Sequence, residues 1–195
     1  MKNFVLKGLL VSLGAVSVNA LAESKLQLGG GFFHQVVKTE FKQDHSDHTV
    51  NNKGLFVSGR YSFAENFAVE AEMAFSNDAD FELDAPYYSG SLDVGDFSSF
   101  YMSTNFLVGT SFATPGWYGY TGIGLYRDTW KEKDEYGKYE ETFTGFQVPL
   151  GVGYHFTNVS LDAKLLLQSG RGYYDSDEDD STQAAIFRLG ILANF

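Results

Sequence analysis

The final stretch of the chain carries apolar side chains at every second position. These positions run from Ala185 to Ala193, and the sequence ends on Phe195. Because successive side chains of a strand point to opposite faces, a period of two predicts a strand with one apolar face. Earlier segments repeat the pattern, so the sequence predicts an all-β fold whose strands each have an apolar side.

The strand candidates number eight, and their connections alternate between short and long. The predicted strands are 25–37, 54–64, 67–76, 98–112, 117–127, 143–156, 158–168 and 183–195. The predicted connections are tight turns at 65–66, 113–116 and 157 and long polar loops at 38–53, 77–97, 128–142 and 169–182. An even number of strands with short turns at one end and long loops at the other is typical of transmembrane β-barrels. A soluble β-sandwich fits the composition almost as well, but it has no reason to place long loops at every second connection.

One face of the predicted strands carries almost no charge. Strand 67–76, for example, places Phe67, Val69, Met73 and Phe75 on that face. A charge at mid-bilayer costs about 2–4 kcal/mol, so contact with lipid requires such a face. We therefore predict an eight-stranded antiparallel up-and-down transmembrane β-barrel, whose closure pairs the backbone groups that hydrocarbon cannot solvate.

Aromatic residues gather on this apolar face beside the short turns and the last residue. Aromatic rings of this kind sit at the level of the lipid headgroups, where one edge is apolar and the other is wet. We predict an aromatic girdle formed by Phe63, Phe67, Phe112, Trp117, Tyr154, Phe156 and Phe195.

The opposite face carries charges, three of each sign. The predicted lumen charge network is Arg60, Glu70, Glu72, Asp162, Lys164 and Arg188. Side chains just fill the interior of an eight-stranded barrel, so opposite charges can pair there, and an unpaired charge would be costly. Glycines share this face with tyrosines of the neighbouring strand, whose rings can lie over them. These are Gly145, Gly151 and Gly153 with Tyr118, Tyr120 and Tyr126.

The first residues, 1–22, read as a cleaved secretory signal peptide. They have a basic start, an apolar stretch from Leu9 to Val18 and small residues before Glu23. Residues 23–195 then form one barrel domain with 12 basic and 25 acidic residues, a formal charge of −13 that argues against nucleic acid as a partner. Cysteine is absent, which excludes disulfides and thiolate metal sites.

Several segments together resemble a known family. They are Arg60-Tyr61-Ser62-Phe63, 66–70, 120–124, 151–154 and 187–195. The mature chain resembles the eight-stranded outer-membrane barrels of the OmpA transmembrane domain and OmpX-like surface proteins. The resemblance implies a monomer in the bacterial outer membrane, in contact with outer-membrane lipid and lipopolysaccharide and without a cofactor. The terminal phenylalanine resembles the signal by which the barrel assembly machinery recognises such proteins.

Two polar segments are candidate metal sites. Residues 44–48 offer His45 and His48 beside two aspartates, without a third histidine nearby, so a solvated loop is the simpler interpretation. The weak candidates for Ca²⁺ are Asp175, Asp177, Glu178, Asp179 and Asp180. They lack the ligand spacing and central glycine of an EF-hand. We predict no metal site.

One segment resembles a catalytic motif. Outer-membrane lipid A deacylases use a His-x-Ser-Asn stretch, and residues 155–158 match it except that Thr157 replaces the serine nucleophile. The stretch also lies on a predicted periplasmic turn, away from lipid A, so we expect His155 to hydrogen-bond near the barrel floor.

The sequence therefore predicts a non-enzymatic surface protein of the OmpA/OmpX type. Its barrel would be an anchor, and four acidic extracellular loops would meet a host-surface or extracellular partner in adhesion or colonisation, or would serve envelope integrity. One alternative is a narrow ion channel or small porin gated by the lumen charge network. A second is a lipid A-modifying enzyme.

Overall fold

The computed structural model describes residues 25–41, 45–77, 79–92, 96–112, 114–133, 137–170 and 181–195. The proposed signal peptide lies outside these residues. The strands are β1 (Lys25–Phe41), β2 (Ser46–Ala64), β3 (Phe67–Ser76), β4 (Ala79–Ala85), β5 (Tyr88–Leu92), β6 (Asp96–Gly109), β7 (Gly116–Lys133), β8 (Lys138–His155), β9 (Val159–Ser169) and β10 (Ser181–Asn194). No helix of the described residues is long and apolar enough to cross a membrane.

Eight of these strands close into a barrel. Hydrogen-bonded neighbours follow the order β1, β10, β9, β8, β7, β6, β3, β2, and β1 also pairs with β2, which closes the ring. Every pairing is antiparallel. The prediction of an eight-stranded antiparallel barrel is confirmed. β4 and β5 form a hairpin that extends the sheet from β2 beyond the barrel.

Side chains alternate between an exposed outer face and a buried interior. In β3 the alternation is strict over all ten residues, with Met73 exposed and Glu72 buried. The outer face presents large apolar side chains around the ring, among them Leu55, Ile123 and Phe146. A face of this kind is suited to a hydrocarbon environment, because bare apolar area in water is unfavourable.

The predicted tight turns lie at one end of the barrel, and two of them are joined by hydrogen bonds. Asn66 donates side-chain hydrogen bonds to the carbonyls of Gly109 and Thr110 at 2.8 and 2.7 Å. The backbone N–H of Phe112 donates to the Glu65 carbonyl at 2.7 Å. These contacts fix the β2–β3 turn against the β6–β7 turn.

The prediction of long loops at 38–53 and 128–142 is wrong. The β1–β2 ladder begins at the pair Phe41–Ser46, and the β7–β8 ladder begins at the pair Lys133–Lys138. Both ladders therefore run through the segments predicted as loops. Side chains still alternate between the two faces in these segments, but the outward residues are polar. The apolar alternation by which the sequence identifies a strand therefore ends at the edge of the outer apolar belt. We call these extensions (38–41, 46–53, 128–133 and 138–142), together with the β4–β5 hairpin, the rim.

Tyrosine rings lie over glycines inside the barrel. A Cβ built on Gly145 would approach the Tyr126 ring to 2.8 Å, and Cβ atoms on Gly151 and Gly153 would collide with the rings of Tyr120 and Tyr118. Real Cβ atoms do not approach so closely, so only glycine leaves room for these rings. The predicted glycine–tyrosine arrangement is confirmed.

Candidate functional site

The lumen holds a chain of alternating charges at mid-height. Arg60 donates to Glu70 through Nε at 3.0 Å and Nη2 at 2.7 Å, and Nη2 also reaches Asp162 at 3.1 Å. The side chains of Arg60 and Glu70 are fully buried, and that of Asp162 is almost so. The two carboxylates take the place of the water that the Arg60 guanidinium loses on burial.

The chain of charges continues from Glu70 to the other side of the lumen. Lys164 contacts both Glu70 and Glu72, the latter at 2.6 Å, and Arg188 contacts Glu72 at 2.7 Å. The structure therefore brings together all six side chains that the sequence placed in the lumen. Their order is Asp162, Arg60, Glu70, Lys164, Glu72, Arg188, so each charge has only opposite charges as its ion-pair partners.

The register of the strands explains this order. Arg60 of β2 stands directly opposite Glu70 of β3. Lys164 and Arg188 also stand opposite each other on β9 and β10, a like-charge pair that would be unfavourable alone. Glu72 reaches across the lumen and contacts both cations, which offsets their repulsion.

Aromatic rings enclose both arginines of this chain. The guanidinium carbon of Arg60 lies 4.6 Å from the centre of the Tyr120 ring. That of Arg188 lies 4.9 Å from the Tyr101 ring and 5.1 Å from the Phe56 ring. Such cation–π contacts are strongest where water is excluded, so the rings hold the guanidinium groups in place.

Six of the seven predicted girdle residues lie on the outer face near the turn end or the last residue. Trp117 and Phe195 are among the most exposed, at 77% and 71%. Phe63 and Phe67 stack with ring centres 6.2 Å apart, and Trp117 and Tyr154 form an edge contact at 5.4 Å. Phe156 is also exposed.

The assignment of Phe112 to the girdle is wrong. Phe112 is 1% exposed and packs inside the lumen against the rings of Tyr118 and Tyr120, below Arg60. It follows β6, which ends at Gly109, so the strand alternation from which its outward direction was inferred no longer applies. The turn folds its ring back under the charge network.

A polar layer that the sequence reasoning missed lies above the network. Gln35 donates to Asp128 at 2.9 Å, and Asn52 donates to Gln35 at 3.1 Å and to Ser99 at 2.8 Å. Asp128 was placed in a loop, although it lies two residues beyond the inward-facing Tyr126. That spacing was the signal that could have found it.

Apolar side chains close the lumen above this layer. The buried residues here are Val37, Val50, Phe97, Trp130 and Phe143. The Trp130 ring makes edge contacts with Phe97 and Phe143, with ring centres 5.8 and 5.0 Å apart. The lumen is thus filled by charged, polar and apolar side chains in successive layers.

His155 belongs to a polar cluster at the floor of the barrel. Its Nδ1 lies 2.6 Å from the Ser160 hydroxyl, and its ring stacks on Tyr118 at 3.9 Å. Ser160 also donates to Asn194 at 2.8 Å. The expected hydrogen bond near the floor is confirmed, with Ser160 as partner, while Thr157 of the deacylase-like stretch is exposed on the turn.

Of the two candidate metal segments, Asp44 and all five acidic residues of 175–180 lie outside the described residues. Of the rest, His45 is exposed and His48 packs against the Phe41 ring. Asp47 pairs with Lys38 at 2.8 Å. Within the part of the chain that the structure describes, no group of three His, Asp or Glu side chains could hold a metal ion.

The fold is similar to those of solved outer-membrane proteins. The crystal structure of Ail, the attachment invasion locus protein of Yersinia pestis, in complex with the heparin analogue sucrose octasulfate, matches with a TM-score of 0.57 and 16% identity over 89% of this chain and 99% of Ail. OprG of Pseudomonas aeruginosa matches with a TM-score of 0.62 and 15% identity over 88% and 96%. Neisserial surface protein A matches with a TM-score of 0.57 and 13% identity over 89% and 98%. Identities this low establish the fold alone.

The sequence itself matches a family model. No curated protein matches the chain, but the model described as outer membrane protein beta-barrel domain matches residues 8–195, nearly the whole sequence. The closed eight-stranded barrel with its apolar outer face agrees with that match. The protein is therefore a bacterial outer-membrane protein that spans the membrane with strands, and it belongs to the outer membrane protein beta-barrel domain family.

Proposed function

We propose that this protein is a non-enzymatic surface protein whose barrel anchors a binding rim outside the cell. The observation that carries the proposal is the contrast between a filled lumen and an elaborated rim. The lumen is crossed by a buried chain of six charges, whereas β1, β2, β7 and β8 continue beyond the outer apolar belt and β4–β5 adds a further hairpin. A binding surface on a rigid scaffold is the usual arrangement for recognition.

The chemistry of the rim supports a binding role. Exposed Tyr87, Tyr88 and Tyr139 lie among serine, glycine and charged residues. Tyrosine with small polar neighbours provides a large contact area at a low cost in conformational entropy. The partner we propose is a host-surface or extracellular molecule, with outer-membrane lipid and lipopolysaccharide around the barrel wall.

The experiment that tests this proposal removes rim elements separately. In one variant a short connection replaces 79–92, which removes the β4–β5 hairpin without removing a barrel strand. In a second, a two-residue turn joins Thr129 to Thr142, which are paired in the barrel wall. Attachment of cells to host cells or matrix should fall in at least one variant.

The control is the amount of folded barrel, measured by heat-shifted gel mobility. If both variants fold and attach as well as the parent, the β4–β5 hairpin and the β7–β8 extension have no role in adhesion. A barrel that preserved envelope integrity without its rim would then favour a structural role.

A second candidate function is a narrow channel gated by the network, and one observation favours it. Arg188 has an ion pair with Glu72 alone, and among the described residues its guanidinium nitrogens make no hydrogen bond of good geometry. With one ion-pair partner, Arg188 has fewer polar contacts to break than Arg60 if the network rearranges. Single-channel recordings of the parent, Arg188→Ala and Glu72→Gln test the idea, because a gate in the lumen predicts changed conductance, and silence in all three would contradict it.

A further inference from the structure

The β4–β5 hairpin leaves one strand edge without a strand beside it. β5 pairs with β4 along one side, from Tyr88 to Leu92, and it is the last strand of the sheet. β5 precedes β6 in the chain, and β7 reaches only Lys133, opposite Asp96 at the start of β6. Within the described residues, no strand therefore pairs with the other side of β5. The backbone N–H and C=O groups on that side can pair with a further extended chain.

The hairpin that carries this edge is held in place on the barrel. β4 pairs with β2 through six residues, 79–84. Phe81 of β4 also makes an edge contact with the buried Phe97 of β6, with ring centres 5.5 Å apart. β5 therefore has a fixed direction, and an incoming strand does not have to order it first.

β5 has none of the charges or prolines that commonly protect a strand edge. Charged residues, proline and bulges keep such edges from pairing with other chains. The segment Tyr88–Leu92 reads Tyr-Ser-Gly-Ser-Leu and contains neither a charge nor a proline. It also stands away from the lipid, because Ala85, which pairs with Tyr88, lies ten residues beyond the exposed Phe75. At about 3.3 Å per residue and a strand tilt near 40°, that distance is on the order of 20 Å above the belt.

The sequence of β5 is complementary to itself. If two copies of β5 pair antiparallel about Gly90, Ser89 of each copy stands opposite Ser91 of the other, and position 88 stands opposite position 92. No charge then meets a charge, and serine pairs across two strands can hydrogen-bond. Ser89 and Ser91 are both exposed, so their side chains are accessible to a second copy.

The acidic residues of the hairpin do not prevent this pairing. Glu82 and Asp84 lie on β4, so both β5 strands would separate them from the same residues of a second copy. Three strand spacings amount to about 14 Å, which exceeds the Debye length of about 8 Å at physiological ionic strength. Their repulsion is therefore largely screened, and added salt weakens it further.

The membrane decides where the second copy must be. Two antiparallel strands of one sheet are related by a two-fold axis perpendicular to the sheet. The barrel wall stands upright in the membrane, so this axis is parallel to the membrane plane, and rotation about it inverts the protein. Two copies in one membrane have the same orientation, and both β5 strands run toward the lipid. Antiparallel pairing therefore requires copies in two facing membranes.

We propose that β5 pairs antiparallel with β5 of a second copy of this protein on a neighbouring cell, and that this contact joins cells to one another. Both edges gain backbone hydrogen bonds, and the sheet then continues from one barrel to the other. A contact of five residues is weak alone, but the many copies on each cell act together. The proposal does not depend on a host partner, and its test contains no host cell or matrix.

The first experiment measures aggregation between two cell populations that carry different fluorescent labels. Their lipopolysaccharide is truncated so that the rims can meet. Parent cells should form mixed aggregates, and cells without the protein should not. Ser89→Lys with Ser91→Lys sets lysine opposite lysine and should reduce the aggregates about fivefold or more, and so should Ser89→Glu with Ser91→Glu. Mixing the lysine population with the glutamate population should restore them, because each contact then joins opposite charges.

The matched control adds the same charge elsewhere on the barrel. Thr142→Lys with Thr144→Lys changes two exposed positions of β8 and should aggregate as the parent does. Heat-shifted gel mobility confirms equal amounts of folded barrel in every population. An equal loss of aggregation in this control would show that added charge acts without regard to β5, and it would contradict the proposal.

Cysteine pairing tests the register, since the chain contains no cysteine. Cells with Ser89→Cys mixed with cells with Ser91→Cys should give disulfide-linked dimers under mild oxidation, because these positions are opposite. Each population alone should give few, because the same position in two copies is about 8 Å apart, too far for a disulfide. No aggregation of parent cells, aggregates unaffected by the lysine pair, no restoration on mixing, or dimers in equal amounts from all three cysteine samples would each overturn the proposal.

Discussion

Ion pairs occur both in the lumen and on the rim, but only those of the lumen are shielded from water. Arg60 and Glu70 approach to 2.7 Å with both side chains 0% exposed. On the rim, Lys53 and Asp80 are 3.5 Å apart with 61% and 63% exposure. Water can replace a lost partner on the rim but not in the lumen. The same kind of residue pair therefore holds the lumen side chains in one arrangement, whereas on the rim the partners can exchange.

The largest effect is expected from Glu70→Ala, which removes the carboxylate shared by Arg60 and Lys164. One uncompensated positive charge then remains in the lumen, and we expect the free energy of unfolding to fall by about 3–5 kcal/mol. Urea unfolding of the barrel in lipid vesicles, monitored by tryptophan fluorescence, measures this loss. Glu65→Ala in the exposed turn is the matched control, and equal midpoints for both variants would contradict the prediction.

Phe112→Ala extends the comparison to aromatic residues. Phe112 is buried beneath Arg60, so its removal leaves a cavity that the closed ring cannot collapse, and we expect a loss of about 3 kcal/mol. Phe63 is 46% exposed on the outer face, where lipid can fill the vacated space. Phe63→Ala should therefore cost less than half as much in the same unfolding titration. A reversed ranking would show that Phe112 does not support the network.

Gly151→Ala tests how tightly the lumen is packed. The new methyl group would displace the Tyr120 ring, which donates to Asp162 at 2.8 Å, and overpacking of this kind costs about 1–3 kcal/mol. Gly119→Ala is a matched control one strand away, because the nearest atom to its Cβ is 3.8 Å distant. Heat-shifted mobility as a function of temperature compares the two. Equal stability would mean that Tyr120 can move aside freely.

The smallest effect is expected from Asp80→Asn on the rim. The exposed pair with Lys53 contributes at most about 1 kcal/mol, and added salt screens it further. In 1 M salt the Asp80→Asn barrel should have the same unfolding midpoint as the parent, whereas Glu70→Ala should still unfold at a lower midpoint. A loss of stability in Asp80→Asn that persisted in 1 M salt would show that burial does not explain the difference between the lumen and the rim.

The alternation of side chains was enough to predict most of the fold. Each barrel strand has one face that is apolar and one that is mixed, so both the number of strands and the inward direction of Arg60 and Lys164 could be read from spacing. The turn at 65–66 was also predictable, because it separates two alternating runs. The alternation is a local property, and strand geometry enforces it one residue at a time.

The alternation of side chains did not predict several strands of the rim or the direction of one turn residue. In 38–53 and 128–142 both faces carry polar residues, so paired strands looked like loops. β4 was also placed in a loop, although Ala79, Phe81, Leu83 and Ala85 alternate with three acidic residues, and that period of two was the signal that could have found it. Phe112 follows the last residue of its strand, and its direction depends on how the turn packs against Tyr118 and Tyr120.

The sequence by itself determined that this chain is an exported barrel with charges inside and an apolar surface outside. These properties follow from the period of two and from the high cost of placing charge in lipid. Only the tertiary structure decided which carboxylate each cation meets and that Glu72 reaches across the lumen to join Lys164 and Arg188. Those relations depend on strand register and ring closure, which bring together residues that are distant in the sequence.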